Sequence, residues 1–445
     1  MRATDAGGRH PLHCAAHTRG NDPSNSQKGK DHPGVVRALL RAGAPVNALD
    51  DSGRAPLHIA FSHSSLSTVR ALLEGGADPN AHQVTGKWPL HYAVEALRHP
   101  DGIEAAIALI GAGADPNSVT PSGLTPLIRA IQAGSPACVR LLLENGAKPD
   151  FSLEGTLSAV YWIVEALRTP HGSNAVSILL GSGANPNVIS STGLTPLHRA
   201  VKLGSLPAVC ALLGAGADHN LHQDDGYWPL HYIVEAVENP DGGWAIAAAL
   251  VGAGATVDVS TKAGITPLHR AIKHGSPLAI RALLNAGADP NFHSHLGIRP
   301  LHSIVAAMNT PNGEEAIAAL IKARATLNVF TSSGFAPLHC AIELGSPSAV
   351  KVLLEAGADP NSSTEGGLRP LHCIVEALRT PGGADAVAVL LNGGVDLDAS
   401  TAAGVTPLDR AIECDSLPAV QTLSQAGAKV GEHFLSSLHW GYLYR

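Results

Sequence analysis

The histidines of this sequence, 23 in all, are the first residues to weigh as candidates for chemistry. An imidazole ring titrates near neutral pH and is a common metal ligand. Nine of the histidines occupy one place, directly after a Pro-Leu pair: His13, His58, His91, His198, His231, His269, His302, His339 and His372. Recurrence once per segment, always in phase, is typical of a structural role. We therefore interpret these nine side chains as structural.

A metal site is the alternative for the other histidines. His293 and His295 alternate along one short segment, so both could face the same side of an extended chain. His82 and His222 lie at nearby positions of other segments, two or more repeats away. Neighbouring packed helices are about 8–10 Å apart, which places ligands from alternate repeats about 20 Å apart, too far to share an ion. We expect no metal and no other cofactor.

Hydrolytic chemistry has even less support. The sequence contains no G-x-S-x-G, no H-E-x-x-H and no P-loop. Carboxylates do recur at one phase, at Glu95, Glu165, Glu235 and Glu376, but as one per segment and not as a converging pair. Lys202 and Lys273 follow Glu165 and Glu235 at the matching positions, which predicts a ladder of surface ion pairs worth about 0–1 kcal/mol each. We expect no enzymatic activity.

The composition of the chain bears on its partners and on its location in the cell. Charged residues make up only 15% of the 445 residues, and the net charge is −7 with both signs interspersed, so no basic stripe favours nucleic acid. Six cysteines form no C-x-x-C pair, which is typical of reduced thiols in an intracellular protein. The first ten residues lack the apolar core of a signal peptide, and no apolar run approaches the ~18 residues of a membrane span. We expect a soluble, cytoplasmic protein.

A repeat organises these residues. The Pro-Leu pair begins at eleven positions, and a degenerate copy with Ala159 in the proline position makes a twelfth: Pro11, Pro56, Pro89, Pro126, Pro196, Pro229, Pro267, Pro300, Pro337, Pro370 and Pro407. From Pro56 onward the spacing alternates between 33 residues and 37 or 38, so two kinds of repeat form a unit of about 70 residues. We call the repeats that begin at 56, 126, 196, 267, 337 and 407 short, and those at 89, 159, 229, 300 and 370 long.

Each kind of repeat predicts two helices. In the short repeat at Pro126, that proline suits a helix N-terminus, and Ser135-Pro136 predicts the N-cap and first turn of a second helix. A glycine such as Gly146 then ends the second helix in a left-handed conformation, a place held by Arg324 in one repeat. Long repeats insert a Pro-x-Gly turn between the helices, and their tract before it predicts a first helix longer by about one turn.

The best single copy of the repeat is residues 192–220, which read TGLTPLHRAVKLGSLPAVCALLGAGADHN. Its T-P-L-H opening and G-A-D-x-N closing make the chain resemble the ankyrin-repeat proteins over residues 8–430. The resemblance implies an all-α repeat solenoid: stacked antiparallel helix pairs with β-hairpin fingers, forming a curved superhelix. We expect one array over residues 1–445, with a mobile insertion loop at 19–34 and a degenerate C-terminal cap at 431–445.

The resemblance also implies roles for particular positions. In ankyrin repeats the histidine after Pro-Leu ties the finger to adjacent repeats, so the fifth repeat, with Tyr161 in that place, should be a weak joint. Some ankyrin proteins are hydroxylated at a finger asparagine, whose counterparts here are Asn80, Asn117, Asn187, Asn291 and Asn361.

Protein–protein recognition is the family's work, so the resemblance implies a scaffold or adaptor that binds another protein in its concave groove, with no nucleic acid, membrane insertion or small-molecule substrate. Candidate residues follow the finger glycine in short repeats, a set we call the finger row: Leu124, Leu194, Ile265, Phe335 and Val405. Tyr227 holds that place in a long repeat, followed by Trp228, with Trp88 its counterpart. The alternative is that the finger row packs between adjacent fingers.

A second candidate row lies on the first helices. Short repeats carry what we call the arginine row, and long repeats carry aromatic residues at the matching position: Arg129, Arg199, Arg270 and Arg410, with Tyr92, Trp162 and Tyr232. Cation–π stacking within the chain and contact with a partner are both open readings of this pattern.

Two other functions remain alternatives to the scaffold. One is a substrate-recognition subunit of a ubiquitin ligase or a host-directed effector, as many ankyrin proteins are. The other, with less support, is a metal-binding or enzymatic protein.

Overall fold

The computed structural model describes residues 4–17, 33–62, 66–83, 86–95, 102–150, 162–167, 171–236, 242–293, 297–303, 307–308 and 312–431. The chain forms two compact units, Met1–Asp218 and His219–Arg445. In the described residues, both units consist of helices joined by turns and contain no β-strand. The predicted all-α repeat fold is therefore confirmed.

The short repeats follow the predicted plan closely. Their first helices are all seven residues long and begin at the proline: Pro56–Ser62, Pro126–Gln132, Pro196–Lys202, Pro267–Lys273, Pro337–Glu343 and Pro407–Glu413. Their second helices are Leu66–Glu74, Pro136–Glu144, Leu206–Gly214, Pro277–Asn285, Pro347–Glu355 and Leu417–Ala426. The predicted serine caps are present, since the hydroxyls of Ser135, Ser276 and Ser346 each accept a hydrogen bond from the backbone N–H three residues on.

Repeat one and the long repeats vary more. Repeat one contains Pro11–Ala16 and Pro33–Arg41. Residues 19–32 of the predicted insertion loop lie outside the described residues, and residues 33 and 34 belong to the second of these helices. First-helix segments in the long repeats are Pro89–Glu95, Ile163–Ala166, Pro229–Tyr232 with Ile233–Ala236, Pro300–Ser303, and Pro370–Cys373 with Ile374–Ala377. The segments that begin at Pro229, Pro300 and Pro370 are 3₁₀ helices. Second helices are Gly102–Gly111, Gly172–Gly181, Gly242–Gly252, Gly313–Lys322 and Gly383–Asn392.

The extra residues of a long repeat do not lengthen its first helix by a turn, so that prediction is wrong where the structure describes the connection. In the repeat at Pro370 the helix ends at Ala377, and Thr380 closes a turn by donating its backbone N–H to the Ala377 carbonyl at 2.9 Å. A Cβ on Gly383 would lie 1.7 Å from that same carbonyl oxygen. Only glycine therefore allows the second helix to approach the first so closely, which explains the Pro-x-Gly pattern.

Where the structure describes them, the fingers are tight turns and not the predicted β-hairpins. In one of them Thr120 donates its N–H to the Leu124 carbonyl at 3.0 Å, and its hydroxyl accepts the Leu124 N–H at 3.1 Å. Gly123 has a φ of 77°, which side chains with a Cβ rarely adopt. The turn is therefore closed by hydrogen bonds within its own five residues.

Finger asparagines join one repeat to the next. Asn117 donates its Nδ2 to the Gly146 carbonyl at 2.9 Å, and its Oδ1 accepts the Lys148 N–H at 2.8 Å. Gly146 has the predicted left-handed conformation, with a φ of 89°, and Arg324 adopts it as well at 63°. A non-glycine residue there costs about 1 kcal/mol.

The core of each unit lies between first and second helices of successive repeats. In one short repeat Leu127, Ile131 and Leu142 are fully buried, and equivalent positions recur along the chain. None of the helices in the described residues combines the length and apolar character that a bilayer crossing requires. Residues 151–161 of the fifth repeat and residues 432–445 of the predicted cap lie outside the described residues.

Candidate partner-binding surface

The histidines after Pro-Leu fix the fingers in place. The backbone N–H of Trp228 donates to His231 Nδ1 at 3.1 Å, which leaves the proton on Nε2. That nitrogen then donates to the carbonyl of Ile265 in the next finger at 3.0 Å. The same inter-repeat bond joins His91 to Leu124 at 2.9 Å and His372 to Val405 at 3.2 Å. These contacts confirm the structural interpretation of the histidines.

Burial favours the neutral form of seven of these rings. It lowers the pKa of both His58 and His269 to about 4, although backbone carbonyls accept from each ring and oppose the shift. The pKa is also lowered by burial, for the same reason, at His13, His91, His302, His339 and His372. A neutral ring with one N–H and one lone pair is what the two-sided bonding requires.

The finger row is the surface that this network positions. Each of its five residues is half-buried, neither enclosed in the core nor free in solvent. Several of the carbonyls that accept the histidine N–H belong to the finger row itself, including those of Leu124, Ile265 and Val405. The backbone of the row is therefore held while part of each apolar side chain faces outward. Each of these side chains is thus partly packed against its surroundings and partly exposed.

Two exposed finger residues were missed by the sequence reasoning. Ile189 is 64% exposed and Phe330 is 39% exposed, and both precede the turn that carries a finger-row residue. The available signal was a large apolar side chain within an otherwise Ser/Thr-rich finger tip.

The arginine row is engaged with the preceding long repeat. Arg270 pairs with Glu235, and its guanidinium lies 5.2 Å and 5.0 Å from the ring centroids of Tyr227 and Tyr232. Arg410 likewise pairs with Glu376 at 2.8 Å. Stacking within the chain is thus present, and contact of the arginine row with a partner stays a prediction.

Unit 1 contains the same arrangement. Arg129 lies 3.5 Å from Glu95, and Arg199 stacks over Trp162 at 5.5 Å. The predicted ladder of Glu–Lys pairs is therefore wrong at Glu235, whose carboxylate pairs with Arg270 and not with Lys273. Arg270 lies about one helical turn before Lys273 on the same helix.

Aromatic residues at the base of the long-repeat fingers form a second contact set. Trp88 donates its Nε1 to the Val119 carbonyl in the next finger at 3.2 Å and lies 5.4 Å from the ring of His82. The rings of Trp228 and His222 make a similar tilted contact, with their centroids 5.2 Å apart. Tyr92 and Tyr232 each donate their hydroxyl to a finger glutamine, at 2.9 Å and 3.1 Å. These predicted site residues thus stiffen the finger bases.

Asp409 replaces the histidine in the last repeat and was not recognised from the sequence. Its side chain is fully buried, and it accepts the backbone N–H of Thr406 and of Gly431, each at 2.9 Å. A histidine donates to the carbonyl of a following finger, whereas this carboxylate accepts an N–H from the chain that follows the last repeat. The change of residue type therefore reverses the direction of the hydrogen bond at this position.

Neither a metal site nor an activated thiol is seen in the described part of the chain. No three His, Cys, Asp or Glu side chains there lie close enough to hold one metal ion, and His295 falls outside it. Burial raises the pKa of Cys138 and Cys373 to about 12, so neither thiol is an activated nucleophile. The expectations of no metal and no catalysis stay predictions.

Comparison with known proteins places the repeat in a family. A family model described as "Ankyrin repeats (3 copies)" matches residues 24–120, 90–188, 163–255, 197–294 and 268–364. Among solved structures, the crystal structure of an ankyrin repeat domain from Acinetobacter baumannii is 28% identical, with a TM-score of 0.41, and the match covers 47% of this chain and 98% of that one. No curated protein matches the sequence. Because the family model covers most of the chain, this protein belongs to the ankyrin-repeat family.

Proposed function

We propose that this protein is a non-catalytic scaffold or adaptor, which binds another protein through the finger row and the bases of its long-repeat fingers. Ankyrin repeats generally mediate protein–protein interaction and are typically non-enzymatic. The proposal goes further, because it names the surface.

One observation carries the proposal: the side chains of the finger row are half-exposed while their backbone is anchored. The described turns that carry the row are closed by their own hydrogen bonds, and buried histidines donate to the carbonyls of Ile265, Phe335 and Val405. A partner that covers such side chains loses little additional chain entropy on the scaffold side. Preorganisation of this kind raises affinity without additional contact area.

The arginine row supports the surface in a different way. Arg270 and Arg410 already have carboxylate partners, so their contribution to binding is to hold the first helices and the aromatic rings in one arrangement. Partner recognition by ankyrin fingers then depends mainly on apolar and aromatic side chains, the types enriched at interface hot spots.

The test is an affinity capture from the native cell with substitutions confined to unit 2. The tagged protein identifies partners, whose binding is then measured with Ile265→Asp, Phe335→Asp and Val405→Asp. We expect each substitution to weaken binding by about tenfold or more, since it places a charge in an apolar contact.

Leu344→Asp is the matched control. Leu344 is 57% exposed and follows a first helix, away from the finger turns. It should leave binding unchanged, and circular dichroism should show that all four variants remain folded. Full partner retention by folded finger-row variants would contradict the proposal.

A further inference from the structure

The residue directly before the proline of a long repeat, which we call the finger-base position, changes character between the two units. It is Trp88 in unit 1 and Trp228 at the start of unit 2, but Arg299 and Arg369 later in unit 2. The tryptophan in unit 1 uses its N–H to reach the next finger, at Val119. The two arginines bring a positive charge to the same place.

The two arginines differ in what they meet. Arg369 pairs with Asp396 of the following repeat at 3.1 Å. The residue in the same place after Arg299, also 27 positions on, is Thr326. Thr326 donates both its N–H and its hydroxyl to Oδ1 of the finger asparagine Asn291 and carries no negative charge. In the described residues, Arg299 has no acidic side chain within ion-pair distance.

The surroundings of Arg299 favour the binding of a carboxylate from a partner. Its side chain is half-buried, and its Nε is buried without a hydrogen-bond acceptor in the described residues. A partly desolvated guanidinium without an anion is unfavourable, whereas a bidentate carboxylate satisfies it. Phe330 holds the place in the next finger that Val119 holds after Trp88, and it is 39% exposed.

We propose that the finger bases around Arg299 bind an acidic side chain of the partner, with an apolar side chain of the same segment covering Phe330. This inference rests on the proposed function and specifies the class of partner: an extended peptide segment that carries Asp or Glu beside a large apolar residue. Charge complementarity selects a carboxylate, and the apolar neighbours Ile298 and Phe330 select peptide over a nucleic-acid backbone.

The probe is a library of random 12-residue peptides displayed on phage and selected on the whole purified protein. The wild-type chain should enrich peptides with Asp or Glu next to Leu, Ile or Phe. Arg299→Gln should abolish the acidic enrichment and retain the apolar one. Arg379→Gln is the matched control, because Arg379 is exposed on the connection between the two helices of its repeat and should select the same peptides as the wild type.

The best selected peptide then gives a quantitative test. Changing its acidic residue to Asn or Gln should weaken binding to the wild type by about tenfold, as expected for a charge-assisted pair, and leave binding to the folded Arg299→Gln variant unchanged. Apolar peptides without acidic enrichment, or acidic enrichment that survives Arg299→Gln, would overturn this inference and leave the scaffold proposal standing. Tight binding of a poly(U) RNA probe to the wild type that is lost in Arg299→Gln would overturn the inference as well. Selection of no peptide by any variant would also overturn it, and would count against peptide binding by the finger row.

Discussion

Charged residues join neighbouring repeats on both the first and the second helices, but in different environments and in opposite directions along the chain. On the first helices, a long repeat supplies Glu235 and the following short repeat supplies Arg270. On the second helices, a short repeat supplies Arg281 and the following long repeat supplies Glu315. First-helix pairs have side chains between 17% and 33% exposed, against 51–55% for the second-helix pairs of this kind.

The two kinds of ion pair therefore contribute differently to the stability of the array. An exposed pair is screened by solvent and contributes about 0–1 kcal/mol. A pair that is partly shielded by Tyr227 and Tyr232 is stronger, because the same Coulomb interaction acts in a lower dielectric and the guanidinium also stacks on the rings. We infer that the first helices and fingers hold the repeats in register, and that the second helices contribute mainly apolar packing.

Acid should weaken the contacts that the buried histidines of the first helices make with the fingers, and should leave the packing of the second helices intact. This is the largest expected effect. Burial lowers the pKa of His58 and His269 to about 4, so the unfolded chain takes up protons before the folded one does. Stability is therefore complete above the unfolded pKa of about 6.5 and falls as the pH drops toward 4, by up to about 3 kcal/mol for each of these rings.

Urea unfolding between pH 7.5 and 4.5, with hydrogen exchange at each pH, checks this prediction. The urea midpoint should fall with pH, and amides of the fingers and first helices should lose protection first. A midpoint that is independent of pH, or earlier loss from the second helices, would contradict the assignment of the histidines.

Two double-mutant cycles measure the difference between the first-helix and second-helix ion pairs directly. Glu235→Gln with Arg270→Gln should give a coupling energy of about 1–2 kcal/mol, since the pair is partly desolvated. The matched cycle with Glu315→Gln and Arg281→Gln should give about 0–1 kcal/mol. Chemical denaturation at low and high salt provides the measurement, and equal coupling energies in the two cycles would remove the distinction between the joints.

The connection between first and second helices offers a further test. Gly383→Ala should destabilise the protein by about 1–3 kcal/mol, because its Cβ would meet the Ala377 carbonyl. Gly111→Ala lies at the end of another long-repeat helix, where nothing is within 4 Å of the added Cβ, and should be neutral or stabilise by up to about 1 kcal/mol. Thermal unfolding of the two variants compares them, and similar melting temperatures would show that the close approach is unimportant.

Helix positions were predictable from the sequence because their determinants are local. A proline at N1 and a serine N-cap act within one turn, so Pro126 and Ser135 mark helix starts wherever they recur. The finger row was also recognisable from its phase. The degree of exposure of its side chains was not, because it depends on how closely adjacent fingers pack.

The contacts between repeats were harder to predict. Spacing places Arg270 and Lys273 on one helix, but the stagger between neighbouring repeats decides which of them reaches Glu235. The hairpins predicted from the family resemblance are single turns because the Thr120 hydroxyl and Gly123 complete the turn without strand pairing. Asp409 went unrecognised because its role depends on the backbone N–H of Gly431, which lies 22 residues away in sequence.

Hydrogen exchange of the captured complex tests the central claim, that the finger row is the partner-binding surface. Peptide-level protection is compared with and without the partner. We predict that binding slows exchange in finger segments 259–266, 329–336 and 399–406, and leaves the second helices Pro277–Asn285 and Pro347–Glu355 unchanged. Protection confined to those second helices, with unchanged fingers, would contradict the account.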